Sequence, residues 1–118
     1  MKYFTIDELS YSQMAVRCGL KNIPDKAAVR RLTDLVEKVL DPAREQFGAP
    51  VIVSSGYRSP EVNRLVGGVA RSYHLTGRAA DLVTGSKDGN RRLFDILTRL
   101  PHCELIWENG GRWIHVAL

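Results

Sequence analysis

Between Pro24 and Leu40 the residues Ala28, Leu32, Leu35, Val36 and Val39 recur at helical spacing with charged residues between them, which predicts an amphipathic helix. Pro42 is expected to break that helix. Asp41-Pro42 would then cap a new turn through Ala43 to Phe47, with Gly48 as the stop. Upstream, Thr5-Ile6-Asp7-Glu8 has the form of a capping box and predicts a short helix ending near Gly19. A last helix is predicted over Asp88 to Leu100, with Leu93, Phe94, Ile96, Leu97 and Leu100 turned inward. Between these helices the pattern shortens. Val51-Ile52-Val53-Ser54 reads as a strand, and Ser59-Pro60-Glu61 as the cap and first turn of a short helix ended by Gly67-Gly68. Ala79 to Val83, Leu105 to Trp107 and Trp113 to Val116 read as three further strands. Asn109-Gly110-Gly111 joins the last two as a hairpin. The expected fold class is α+β: a small antiparallel sheet carrying the site, packed against helices, in a single domain over residues 1–118.

Composition narrows the classes of function without choosing one. Hydrophobic residues make up 44% and charged residues 25%, so a globular chain is expected and a disordered one excluded. The net charge is +4, yet the only adjacent basic pairs are Arg30-Arg31 and Arg91-Arg92, both on predicted helices. That is no basic tract, and no nucleic-acid partner is expected. Cys18 and Cys103 belong to no CxxC pair and read as free thiols, with a single bridge between them left open. The first eight residues lack an apolar leader, and no stretch is long enough to span a membrane. The expectation is a protein made in the cytoplasm with no membrane partner.

The candidate chemistry lies with the histidines. There are three, His74, His102 and His115. Two imidazoles and a carboxylate suit a catalytic zinc site, which takes three protein ligands and keeps one position open. His74 and Asp81 are seven residues apart, which fits one site only if the chain turns at Gly77 and returns as a strand, with Ala79 and Ala80 leaving room. Asp81 stands in the apolar run Ala79-Ala80-Asp81-Leu82-Val83, where a buried carboxylate needs a partner. His115 sits in a half-buried strand and, taken alone, reads as a hydrogen-bonded core residue more readily than as a ligand. His102, after Pro101, reads as a helix-end histidine, and Glu61, Glu104 and Asp95 read as solvated charges.

Three blocks in order carry a family resemblance: Ser55-Gly56-Tyr57-Arg58-Ser59-Pro60 with Asn63, then Ser72-x-His74-x-x-Gly77-x-Ala79-x-Asp81, then Trp113-x-His115-Val116. Together they resemble the M15 zinc peptidases, the group of D-Ala-D-Ala carboxypeptidases and phage endolysins. The resemblance implies a Hedgehog/DD-peptidase-like fold, Zn2+ as cofactor, and His74, Asp81 and His115 as its ligands. It implies Arg58 as the group that steadies the substrate carbonyl as it becomes an oxyanion, and it places Ser72 and Tyr57 in blocks that contact substrate. For those two, a turn-forming serine and a packed tyrosine remain open. The substrate so implied is a peptidoglycan stem peptide, cut at a bond involving a D-amino acid. A monomer is expected, acting on the cell wall if released by a holin, a phage particle or another export route. One position departs from the family. The acid expected three residues before the last histidine is Arg112, which cannot accept a proton. Glu108 is the best replacement as general base if the hairpin loop has two residues, either Asn109-Gly110 or Gly110-Gly111, since it then shares a face with His115; with loop Gly110-Gly111 it pairs with Trp113. A three-residue loop would turn it away. A catalytically inactive zinc-binding module of the same fold, binding cell wall or a protein partner, is the alternative.

Overall fold

A computed structural model describes residues 1–118. Four strands form one antiparallel sheet in the order β1-β2-β4-β3: β1 Ile52–Ser55, β2 Ala79–Val83, β3 Glu104–Glu108 and β4 Trp113–Ala117. Ala80 pairs with Val116, Leu82 with Ile114, and both Leu105 and Trp107 lie beside β4 partners of the same face. This face is apolar. Ala80, Leu82, Ile114 and Val116 join Leu32, Leu35, Val36, Val39, Leu93 and Leu97 in one buried core. Removing these side chains from water is the main source of stability, at roughly 1.5–3 kcal/mol for each fully buried Val, Leu or Ile. The opposite face carries Ser55, Asp81, His115 and Ile106 side by side, one from each strand. Period-2 alternation thus separates core from chemistry, and the α+β expectation holds.

Two helix predictions need correction. The helix from Lys26 does not break at Pro42. α3, Lys26–Leu35, runs through a π turn, Val36–Leu40, into α4, Asp41–Phe47, with Leu35 and Asp41 both in right-handed helical geometry. Asp41 N–H reaches back five residues to Val36 O, and this wider turn accommodates Pro42, which has no N–H to offer at the start of α4. Asp41 does not cap α4. Its carboxylate instead accepts the backbone N–H groups of Lys2 at 2.6 Å and Tyr3 at 3.0 Å, tying the start of the chain to the helix. The N-terminal helix is two pieces, α1 Ile6–Ser10 and α2 Gln13–Arg17, separated by extended Tyr11 and restarted by Ser12, whose hydroxyl accepts from Ala15 N–H. The capping box is present: Thr5 Oγ1 accepts from Glu8 N–H at 3.1 Å, and Glu8 Oε1 accepts from Thr5 N–H at 3.3 Å. The remaining helices are α5, Pro60–Leu65, capped by Ser59, and α6, Lys87–Leu97, capped by Ser86. No helix is long and apolar enough to cross a membrane.

The hairpin between β3 and β4 has one of the two expected registers, the one that pairs Glu108 with Trp113, and a different loop. Glu108 pairs with Trp113, so four residues, Asn109–Arg112, make the connection rather than two. Arg112 N–H donates to Glu108 O at 3.1 Å, and Asn109, Gly110 and Gly111 all take positive φ. Four residues and two residues place Glu108 identically, because an even count preserves the pairing of faces.

Candidate metal centre

Each member of the cluster is delivered by a different local device. Asp81 comes from the middle of β2 and His115 from β4, directly opposite it in the ladder. His74 comes from a 3-10 turn, Tyr73–Thr76, whose start is capped by Ser72 Oγ accepting from His74 N–H at 3.1 Å. Gly77 then reverses the chain with φ +78, and a Cβ there would lie 2.5 Å from Ala28 O. Both facts exclude a side chain. Gly77→Ala is therefore expected to destabilise the protein by at least about 1–2 kcal/mol from the left-handed backbone alone, measured as a lower denaturant midpoint at unchanged slope.

The geometry converges on one point. His74 Nε2 lies 3.2 Å and His115 Nδ1 3.1 Å from the same oxygen, Asp81 Oδ1. His74 is 3% exposed and Asp81 8%. The second ring nitrogen of each histidine is committed elsewhere. His74 Nδ1 is 2.7 Å from Gly56 O, a carbonyl that can only accept, so Nδ1 carries the hydrogen and Nε2 presents a lone pair. His115 Nε2 lies 2.8 Å from Glu104 Oε1. With a proton on that nitrogen, His115 Nδ1 also presents a lone pair. Two imidazole lone pairs and a carboxylate oxygen then face one another at hydrogen-bond distance, which is repulsive unless a proton or a cation sits among them. The three ligand atoms all lie within 4.8 Å of one another, a group that can hold a metal ion. A tetrahedral ion with bonds of about 2.0–2.1 Å has ligand–ligand edges of roughly 3.3 Å. The 3.1 and 3.2 Å separations fit that shape, and the N,N,O donor set suits zinc.

Electrostatics follow the same contacts. Burial alone would raise the Asp81 carboxyl; in place of a cation, the hydrogen bonds and positive charge that His115 and His74 offer it when protonated outweigh burial and hold the group at about 2. Burial pulls His115 down, while its bonds to Asp81 and Glu104 prevail and raise it above the ordinary histidine value. Arg58 is lowered by burial, with Asp81 acting in the opposite sense. Its guanidinium is fixed on three sides: Nε donates to Ser55 Oγ at 3.0 Å, Nη1 to Asn63 Oδ1 at 3.0 Å, and Nη2 lies 3.5 Å from Asp81 Oδ2. Gly68 lets its loop close over this arrangement, since a Cβ there would meet Asn63 Oδ1 at 2.0 Å and Arg58 Nη1 at 2.8 Å.

Above the cluster opens a cavity of about 570 Å³. Arg58, Ser72, His74, Asp81, Glu108 and His115 all line it. Tyr57 does not. Its ring packs at the edge of the core beside a neighbouring recess, and burial raises its phenol, with Asp25 adding to the shift. Glu104, read from sequence as a solvated charge, instead contacts His115 and lines the same cavity. Alternation along β3 puts residues 104, 106 and 108 on one face, so the signal was there once the strand's register was known. Asn22 was also unmarked. It joins three segments around the site by donating to Ser10 O and Tyr57 O and accepting from Ser59 N–H. No periodicity announces such a contact. His102 stays exposed and away from the cluster, and both cysteines are free and exposed.

An α+β fold that sets a buried His/Asp/His cluster able to hold a metal, an immobilised arginine and a glutamate around one open cavity fits the class of metal-dependent hydrolases. The chain belongs to the peptidase M15 family, whose model matches residues 2–117. A comparison with curated proteins finds no match.

Proposed function

We propose that this M15 peptidase is a zinc enzyme that hydrolyses amide bonds involving D-amino acids in peptidoglycan stem peptides, as a D-Ala-D-Ala carboxypeptidase or as an endopeptidase within the stem. The observation that carries the reading is the meeting of three acceptor atoms, His74 Nε2, Asp81 Oδ1 and His115 Nδ1, at the floor of a cavity that Glu108 and Arg58 also line. Bound there, zinc would supply Lewis acidity to the scissile carbonyl and to the attacking water. The remaining work falls to the chain. Glu108 takes the proton from the attacking water and returns it to the leaving amine. It is the carboxylate for that task because Asp81 is occupied by two histidines and Glu104 by one. Arg58, held by Ser55 and Asn63, meets the negative charge that develops on the carbonyl oxygen without reorganising. Ser72 Oγ accepts from His74 N–H, which leaves its own hydrogen free for a substrate oxygen.

The test is digestion of purified peptidoglycan and of D-Ala-D-Ala-terminated peptides, each with and without a chelator. Release of D-Ala or cleaved stem peptides is expected, lost on chelation and restored by zinc, together with a single zinc per purified chain. Zinc-loaded protein that leaves both substrates intact would refute the peptidase reading and favour a non-catalytic metal-binding module.

A further inference from the structure

We infer that Glu104 is a positioning residue: it holds the ring of His115 so that Nδ1, and not Nε2, faces the metal site. The inference rests on the proposed zinc site and adds a residue that neither the motif blocks nor the family match assigns.

The two histidines of the cluster present opposite nitrogens, His74 its Nε2 and His115 its Nδ1. An imidazole can offer either nitrogen, and the hydrogen bond made by the other one decides which. For His74 the decision is made by a backbone carbonyl, Gly56 O, at 2.7 Å. His115 has no such carbonyl. On β4 its direct partners are Asp81 on one side and Ile106 on the other, and an isoleucine offers no acceptor. The acceptor comes from the diagonal position: Glu104, paired with Ala117 and two residues along β3 from Ile106, reaches back so that Oε1 lies 2.8 Å from His115 Nε2. Diagonal neighbours of a ladder are within reach of a long side chain. Glutamate has that length.

The contact does two things. It places the ring hydrogen on Nε2, leaving the Nδ1 lone pair for the cation, and it supplies a carboxylate behind the imidazole that makes Nδ1 a stronger donor. The Glu104 side chain is 41% exposed, at the edge of the sheet. Its removal therefore leaves the buried core intact, and the effect on the histidine can be read separately from stability.

The experiment compares wild type, Glu104→Ala and Glu104→Gln by two readouts. The first is the tautomer of His115 in metal-free protein, from nitrogen-15 shifts and long-range couplings of the ring at a pH where it is neutral. The second is affinity for zinc(II) alone, by competition with a chromophoric chelator. Wild type is expected in the Nε2–H form. Glu104→Ala is expected to populate the Nδ1–H form and to bind zinc about 10–100-fold more weakly. Glu104→Gln retains an acceptor oxygen of the same reach and is expected to keep the wild-type tautomer and most of the affinity. A structural role at the strand end would lower thermal stability without moving the tautomer. An unchanged tautomer in Glu104→Ala overturns the inference, and so does zinc affinity equal to wild type. Wild-type protein that takes up no zinc would instead defeat the metal-site reading, while the metal-free tautomer comparison would still decide the role of Glu104.

Discussion

Asp81→Asn is expected to abolish zinc binding while leaving the fold intact. The carboxylate is the hub of the cluster: one oxygen faces both histidines and the other faces Arg58. Asparagine keeps the shape and removes the charge. In the metal-free protein its NH2 group can donate to one of the imidazole lone pairs that Asp81 leaves opposed, so the buried site stays satisfied. Toward a cation the exchange is adverse, because an anionic ligand becomes a weak neutral one. Affinity should fall by more than about 100-fold, beyond the range for removing a group that only supports a ligand. Thermal unfolding gives a direct check. Zinc at 100 times its dissociation constant should stabilise wild type by about 2.7 kcal/mol, and the same concentration should leave Asp81→Asn nearly unmoved. A variant that gains as much from zinc as wild type does would remove Asp81 from the site.

Glu108→Gln is expected to be the complementary lesion, with metal retained and turnover lost. Glu108 lines the cavity without touching a ligand of the cluster, so its replacement by an isosteric amide does not disturb the three acceptor atoms. Loss of a positioned base costs about 10²–10⁴ in rate. The loss should fall on kcat more than on KM, because the proton is taken in the transition state. Zinc content should equal wild type. Retained activity in Glu108→Gln would assign the base elsewhere, and Glu104 would be the next carboxylate to examine, since it faces the same cavity.

Much of this arrangement was legible in the chain because it rests on period and spacing. The short apolar runs Ala79–Val83 and Trp113–Val116 announced two strands, and both appear with Asp81 and His115 opposite each other. Gly77 announced the reversal between His74 and Asp81, and it is there with positive φ. The errors share a cause. Pro42 reads locally as a helix breaker, but a π turn five residues long absorbs it, and that turn buries Val36, Val39 and Leu40 in the core. Glu104 reads locally as a surface charge, since nothing in its neighbours shows that the diagonal of a ladder will bring it to His115. The loop of the last hairpin was misjudged in length, yet the face of Glu108 was right because parity of the loop, and not its size, sets the face. Contacts between distant segments are set by tertiary geometry, and local pattern carries them only through register.

The division of the sheet into an oily side and a side bearing the proposed zinc ligands would make loading with zinc a readout of correct strand alignment. Sliding β4 by one position along β2 would turn His115 toward the helices and push Ile114 and Val116 into the open. A mispaired chain could be compact and rich in secondary structure and still be unable to assemble its third donor. During refolding, therefore, the moment at which the ion becomes tightly held marks the arrival of the native pairing, and a colorimetric chelator can time it.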